Sequence, residues 1–242
     1  MTAFKRHGIE YLSPSSLNLW NENPRLWAVK YLYKVRDETG PAAARGLAVE
    51  AGFSQLLHGK DFATALAIAM ASYDQNQQGV IEKERGLIEP MLNQCAAHIV
   101  EGGASRPDAS QLKVEHWFEG VSIPVLGYLD FSFSDFDLDL KTTARLPSEP
   151  RPSHVRQVSL YRAARNKPGS ILYVTDKKRA LYEISDTQRD DALADLQGAA
   201  LSLQRYLEFM PTAEDAVRCL PSNIDHYTWF DAAKQKLADL HL

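Results

Sequence analysis

The amino-acid sequence predicts an α+β (mixed α/β) fold, with a central mixed β-sheet that contains an antiparallel meander and is flanked by helices. Two observations carry this prediction. Apolar residues recur at helical spacing through about the first hundred residues, whereas short strand-like runs alternate with turn residues after them. The order of helices, three strands, a helix, two strands and further helices is typical of one sheet covered by helices. We predict a single domain over residues 1–242, mainly helical at 1–105 and 186–242, with the sheet at 106–185.

Each element is predicted from its own residues. Ser13 and Pro14 form a helix start, with a hydroxyl cap followed by an early proline, and Pro24 breaks or restarts this helix. Further helices are predicted at residues 44–57, 61–74, 82–100 and 153–165, and strands at 111–118, 123–133, 136–142, 170–175 and 180–184. The last part is predicted to be mostly helical, with a break at residues 221–223.

Composition excludes several classes of protein. The 242 residues are 45% hydrophobic and 10% aromatic, which are globular values. The sequence has no run of ~18 apolar residues and no signal-peptide pattern near its N-terminus. Two cysteines, Cys95 and Cys219, cannot form a disulfide scaffold or a four-cysteine metal site. We therefore predict a cytoplasmic protein with free thiols and no membrane segment.

Charge is distributed unevenly along the chain. The net charge of −4 argues against a non-specific basic nucleic-acid binder. Residues 141–180, however, carry +8 while the other 202 residues carry −12. A basic segment within an acidic chain suggests one face for a polyanion, although a solvated helix and hairpin would give the same charge.

Acidic residues and a lysine lie on the predicted second and third strands. Residues i and i+2 of a strand share a face, so Asp139 and Lys141 point one way and Leu140 the other. Antiparallel pairing would bring Asp130 to the same end of the sheet. Two carboxylates and a carbonyl oxygen suit Mg²⁺ or Mn²⁺, and a neighbouring lysine can orient a water or stabilise charge on a phosphate. Two alternatives stay open, because Asp137 shares the face of Asp139 and a solvent-facing strand edge gives the same pattern.

Glu50 falls within an apolar arc of the predicted helix 44–57. At ~100° per residue, the side chains of the arc are Leu47, Val49, Phe53, Leu56 and Leu57. A buried carboxylate is costly unless it is paired or bound to a metal, so Glu50 is a candidate third acid. The alternative is a glutamate at the rim that pairs with Arg45.

The predicted helix 153–165 carries a polar pair within the basic segment. Gln157 and Tyr161 are four residues apart and share one face, which His154 joins. A glutamine amide and a tyrosine ring can hold a base or sugar while nearby cations contact phosphates. The candidate phosphate-binding cations are Arg156, Arg162, Arg165, Lys177 and Lys178. In the alternative interpretation the helix is simply amphipathic and Tyr161 packs inward.

Taken in order, these motifs resemble those of the PD-(D/E)XK nuclease superfamily, in its RecB-like and lambda-exonuclease-like branch. The motifs are Ser13-x-Ser15-x-Leu17 with Asn23-Pro24, Arg45-Gly46 leading to Glu50, Gly127-Tyr128-Leu129-Asp130, Asp139-Leu140-Lys141-Thr142-Thr143 and Gln157-x-x-x-Tyr161. None of them is specific alone, but five in this order on these elements are.

The resemblance implies a restriction-endonuclease-like core with helical N- and C-terminal additions, and a Mg²⁺- or Mn²⁺-dependent DNA exonuclease. It implies that Asp130, Asp139 and the carbonyl of Leu140 bind the metal, with Glu50 as a further ligand. Lys141 would position or activate the attacking water. The Gln157–Tyr161 pair would contact the DNA strand near the scissile phosphate.

Two positions vary among relatives of this kind. Many have a histidine where Glu50 stands, whereas lambda-exonuclease-like relatives have a glutamate. Relatives with an iron–sulfur cluster have a cysteine where Asn23 stands and more near the C-terminus, where this chain has only Cys219; we therefore expect no cluster. The size resembles stand-alone, phage-type exonucleases of DNA recombination, repair or degradation. That likeness implies DNA as substrate and a recombination or single-strand-annealing protein as a further partner.

Two other functions compete with the exonuclease. One is a structure-selective or restriction-type endonuclease, which would also cut a closed circle. The other is a non-catalytic DNA-binding or assembly module on a nuclease fold. The presence of both aspartates together with Lys141 favours an enzyme.

Overall fold

A computed structural model of the chain describes residues 2–76, 81–102, 106–221 and 223–241. The predicted boundary at residue 105, and residue 222 of the predicted break, lie outside these ranges. The described helices are α1 (Ala3–Arg6), α2 (Pro14–Glu22), α3 (Pro24–Leu32), α4 (Pro41–Leu57), α5 (Phe62–Asn76), α6 (Glu82–Arg85), α7 (Ile88–Gly102), α8 (Pro152–Arg165), α9 (Asp186–Phe209), α10 (Ala213–Arg218) and α11 (Asp231–Asp239). The strands are β1 (Ala109–His116), β2 (Val125–Ser132), β3 (Asp137–Thr142), β4 (Gly169–Val174) and β5 (Arg179–Glu183).

The five strands form one mixed sheet in the order β1-β2-β3-β4-β5. Strands β2 and β3 are antiparallel, with Phe131 opposite Leu138. Strands β3 and β4 are parallel, with Asp139 opposite Ile171, and β4 and β5 are antiparallel. A mixed sheet flanked by helices confirms the predicted fold class. None of the described helices combines the length and apolar character needed to cross a membrane.

The chain divides into two compact units. The sheet unit consists of Thr39–Lys113 and Tyr128–Ser185, and the terminal unit consists of Met1–Glu38, Val114–Gly127 and Asp186–Leu242. All the candidate site residues predicted above lie in the sheet unit. The single domain over residues 1–242 stays a prediction.

Within the terminal unit, Asn23 joins two helices. Its buried side chain accepts a hydrogen bond from the backbone N–H of Leu26 at 3.1 Å and donates to Oγ1 of Thr228 at 2.9 Å. It thereby caps α3, which begins at Pro24 as predicted. The rings of Trp20 and Trp27, from the helices on either side, pack edge to face at 5.6 Å. The Asn23-Pro24 motif thus has a structural role in this unit.

Within the sheet unit, alternate residues of β3 and β4 face opposite layers. Leu138 and Leu140 of β3, with Leu172 of β4, belong to the apolar core formed with α4, α5 and α7. Residues of the opposite face meet α8, where the ring of His154 packs on that of Tyr173 at 5.5 Å. This alternation places Asp137, Asp139 and Lys141 on the α8 side of β3.

Two predicted features of the helices are wrong. The helix expected at residues 82–100 is interrupted, because the short α6 ends at Arg85, with Gly86 as its C-cap, and α7 begins at Ile88. The apolar arc of α4 is narrower than predicted, since Leu47 is 45% exposed while Val49 and Phe53 are fully buried.

Candidate active site

The two acids of β3 have different partners. Asp137 is 1% exposed, and its Oδ2 accepts a hydrogen bond from Nε of Arg165 at 2.7 Å. Asp139 is fully buried, and its Oδ2 forms an ion pair with Nζ of Lys141 at 2.7 Å. The negative charge of Asp139 acts on Asp130, on the neighbouring strand, and raises its pKa. The structure therefore distinguishes the two acids that spacing left open: Asp137 is bound to α8, and Asp139 lies with the other acids.

Asp130 is held against β3 by a backbone hydrogen bond. Its Oδ2 accepts a hydrogen bond from the backbone N–H of Leu140 at 2.8 Å, so the carboxylate lies beside the segment that carries Asp139 and Lys141. Burial raises the pKa of Asp130 well above its usual range, and the negative charges of Asp139 and Glu50 raise it further. Asp130 is therefore not an exposed charge at a strand edge.

Glu50 reaches the same site from α4. Gly46, one turn earlier, allows α4 to approach β3 closely, since a Cβ there would lie 3.3 Å from Oγ1 of Thr142. Burial raises the pKa of Glu50, and the negative charge of Asp139 adds to that rise. The alternative pairing with Arg45 is not formed, because Arg45 is 5% exposed and pairs with Glu84 instead.

Gln111 of β1 is a site residue that the sequence did not indicate. Its amide nitrogen Nε2 donates to Oε1 of Glu50 and lies 3.4 Å from Oδ1 of Asp130. Its backbone has a φ of 51°, in the left-handed region. No spacing or motif marks this residue in the sequence, because the contact depends on how β1 meets α4 and β2.

The site concentrates negative charge. We call Glu50, Asp130, Asp139 and Lys141 the acid–lysine site. Burial raises the pKa of Asp139 although Lys141 opposes that rise. Burial would lower the pKa of Lys141, but Asp139 and Asp130 outweigh it and raise the pKa. Three acids facing one ammonium group favour any added positive charge.

The donor set fits a hard divalent cation. Oδ1 of Asp139 is buried and has no hydrogen-bond partner among the residues that the structure describes. Carboxylate and carbonyl oxygens are the ligands that Mg²⁺ and Mn²⁺ prefer. Over the described ranges, no three or more His, Cys, Asp or Glu side chains are already arranged to hold a metal ion. Two nitrogen donors, Nε2 of Gln111 and Nζ of Lys141, lie among the acid oxygens instead.

The predicted Gln157–Tyr161 pair is formed, but its tyrosine is buried. The amide of Gln157 donates to the Tyr161 hydroxyl at 2.9 Å, and that hydroxyl donates to the carbonyl of Tyr128 at 2.8 Å. Tyr161 is 1% exposed, so its ring is packed inward and is not available to stack on a base. The pair fixes the backbone of β2 two residues before Asp130. A DNA contact by this motif stays a prediction.

The candidate phosphate-binding cations differ in their position and in their contacts with the rest of the protein. Arg162 donates to two backbone carbonyls just after β5, at 2.6 and 3.0 Å, and Arg165 is held by Asp137 and by Oγ of Ser132. Lys177 and Lys178 are exposed in the turn between β4 and β5, and Arg156 is half-buried on α8. DNA binding by these five residues stays a prediction.

Comparison with known proteins shows the family of the chain. The model of the PD-(D/E)XK nuclease superfamily matches residues 11–236, and the chain belongs to that superfamily, as its motifs predicted. A structure from Eubacterium rectale, named as a candidate exonuclease, has a TM-score of 0.55 and 14% identity, with 81% of this chain and 82% of that chain covered. This likeness shows a shared fold.

A second solved structure is less similar. The alkaline exonuclease LHK-Exo from Laribacter hongkongensis has a TM-score of 0.36 and 12% identity, with 68% of this chain and 94% of that chain covered. Comparison with curated proteins gives no match.

Proposed function

We propose that this protein is a metal-dependent DNA exonuclease that hydrolyses phosphodiester bonds at the acid–lysine site. One observation carries the proposal: three acids from α4, β2 and β3 converge on one lysine in a chain of the PD-(D/E)XK superfamily. Burial raises the pKa of all three acids, and the charge of Asp139 raises those of Asp130 and Glu50 further. Acids with such perturbed pKa values are typical of functional sites.

Asp130, Asp139 and the carbonyl of Leu140 would hold the metal, with Glu50 as a further ligand. Mg²⁺ or Mn²⁺ would supply Lewis-acid stabilisation of the charge on the phosphate. The hydrogen bond from Leu140 N–H to Asp130 fixes one carboxylate oxygen and leaves the other, Oδ1, on the side of Gln111. Asp139 offers the unpartnered Oδ1 described above.

Lys141 would act as a cation and hydrogen-bond donor. The surrounding acids raise its pKa, so that it stays protonated at neutral pH. An ammonium group held at a fixed place beside Asp139 can orient a water and stabilise charge that develops on the phosphate. Its side chain keeps 21% of its surface exposed, which leaves it accessible to a substrate.

The DNA strand would approach from the α8 side of the sheet. Lys177, with 82% of its side chain exposed, Lys178 and Arg156 are the proposed phosphate contacts, and the Gln157 amide is the proposed contact near the scissile bond. Cytoplasmic location, a role in recombination, repair or degradation, and a recombination or single-strand-annealing partner stay predictions.

Digestion of end-labelled DNA tests the proposal. Linear single-stranded and double-stranded DNA and a closed circle are incubated with Mg²⁺ or Mn²⁺ and with excess chelator, with Asp139→Ala as the inactive control. We expect degradation of linear DNA only with metal, and none by the variant. Cutting of the closed circle would identify an endonuclease, and DNA binding without cleavage would identify a non-catalytic module.

A further inference from the structure

Gln111 links two of the three acids of the acid–lysine site. Its Nε2 donates to Oε1 of Glu50 on α4 and lies 3.4 Å from Oδ1 of Asp130 on β2. One neutral side chain on β1 therefore joins two carboxylates from two other elements. It offers hydrogen-bond donors to both acids without adding charge.

The backbone of β1 is distorted at this residue. A φ of 51° is unfavourable for a residue with a Cβ, and within a strand it is typical of a bulge that redirects a side chain. Such conformations persist where surrounding contacts fix them, often at functional sites. Here the side chain that the distortion carries is the one between Glu50 and Asp130.

The amide nitrogen competes with a cation for the same oxygens. An amide N–H donates a hydrogen bond and cannot ligate a metal. A cation that takes Oε1 of Glu50 and Oδ1 of Asp130 must first displace it.

We propose that Gln111 is a positioning residue that braces Glu50 and Asp130 while no metal is bound, and that its amide nitrogen withdraws when a divalent cation binds. This inference rests on the proposed function, because it takes the acid–lysine site as the metal site. The alternative is that the amide turns and its Oε1 becomes a ligand. The two predict opposite changes in metal affinity.

Removal of the amide is expected to tighten metal binding. A ligand that must break a hydrogen bond to a charged group binds more weakly by the free energy of that bond, which corresponds to about tenfold in the dissociation constant. The metal-free protein without the amide is expected to melt at a lower temperature, since Glu50 and Asp130 lose their shared donor. The rise in Tm on adding the cation should then be larger than in the wild type.

Calorimetric titration of the full chain with Mg²⁺ and Mn²⁺ tests this, alongside melting curves in chelator and in metal. The variants are Gln111→Ala and Gln111→Gly, the second because glycine accepts the positive φ. The matched control is Gln75→Ala, which removes an exposed glutamine on α5.

About tenfold tighter binding by the Gln111 variants, with wild-type affinity in the control, would support the inference. If Gln111→Ala does not fold, the affinity of Gln111→Gly for Mg²⁺ and Mn²⁺ decides the test. Unchanged or weaker binding by the folded variants would overturn it and leave the proposed function standing. A wild type that binds neither cation would overturn the proposed metal site itself.

Discussion

Asp137 and Asp139, two residues apart on one strand face, are expected to respond in opposite ways to removal. Asp137→Ala breaks a buried ion pair that joins β3 to α8. Asp139→Ala removes a carboxylate that burial already disfavours and that raises the pKa of Asp130. The first variant should lose stability, and the second should lose cleavage.

The structure sets the size of the stability loss. Loss of one partner from a buried ion pair costs roughly 3–5 kcal/mol. Arg165 keeps 24% of its side chain exposed and also donates to Ser132, so we take the low end, about 3 kcal/mol. For a chain of this size that corresponds to a fall in Tm of roughly 6–12 °C. Asp139→Ala should stay within about 1 kcal/mol of the wild type, because Lys141 retains the charges of Asp130 and Glu50.

Melting curves in chelator and initial cleavage rates measured well below both Tm values separate the two variants. We expect Asp137→Ala to melt early and cleave at near the wild-type rate per folded molecule. Asp139→Ala should melt normally and cleave no DNA. A stable, inactive Asp137→Ala with an active Asp139→Ala would refute the assignment of the two acids.

Three further predictions each concern one side chain of the sheet unit. Tyr161→Phe should lower the free energy of unfolding by about 1–3 kcal/mol, because the carbonyl of Tyr128 loses its donor; slow cleavage at an unchanged Tm would instead support direct DNA contact. Tyr128 is an aromatic residue of the sheet unit with 57% of its surface exposed, and it shares a strand face with Asp130. Tyr128→Ala should therefore weaken single-strand binding by about 1–3 kcal/mol in fluorescence titrations. Burial lowers the pKa of His154 to about 4, so the neutral ring stabilises the fold above pH 6.5, and this contribution is lost as the pH falls toward 4. In acid melting curves, His154→Gln should therefore lose less stability over this pH range than the wild type.

Local patterns explain why much of the fold could be predicted from sequence. Strands β2 to β5 and helices α4, α5 and α8 have strong periodicity or clear turn and proline signals, and their observed bounds lie close to the predicted ones. The sequence pattern predicts one helix at 82–100 because Gly86, which caps α6, lies within an otherwise helical pattern. The acid–lysine set could be named because strand alternation and motif order depend only on sequence.

Side-chain partners could not be predicted in the same way. Spacing treats Asp137 and Asp139 alike, and only the position of α8 against β3 gives Asp137 its arginine. A helical face predicts that Tyr161 and Gln157 are neighbours, but not that the Tyr161 hydroxyl donates to a carbonyl of β2. Gln111 reaches the site through a distorted strand, for which a single sequence holds no signal.

The central claim is that the acid–lysine site hydrolyses phosphodiester bonds, and incorporation of solvent oxygen tests it most directly. DNA is digested with Mg²⁺ in water enriched in heavy oxygen, and the products are analysed by mass spectrometry, with Asp139→Ala treated in parallel. We predict one heavy-oxygen atom in each newly formed terminal phosphate with the wild type, and no product with the variant. Cleavage products without the label, or labelled products at an equal rate from Asp139→Ala, would contradict the account.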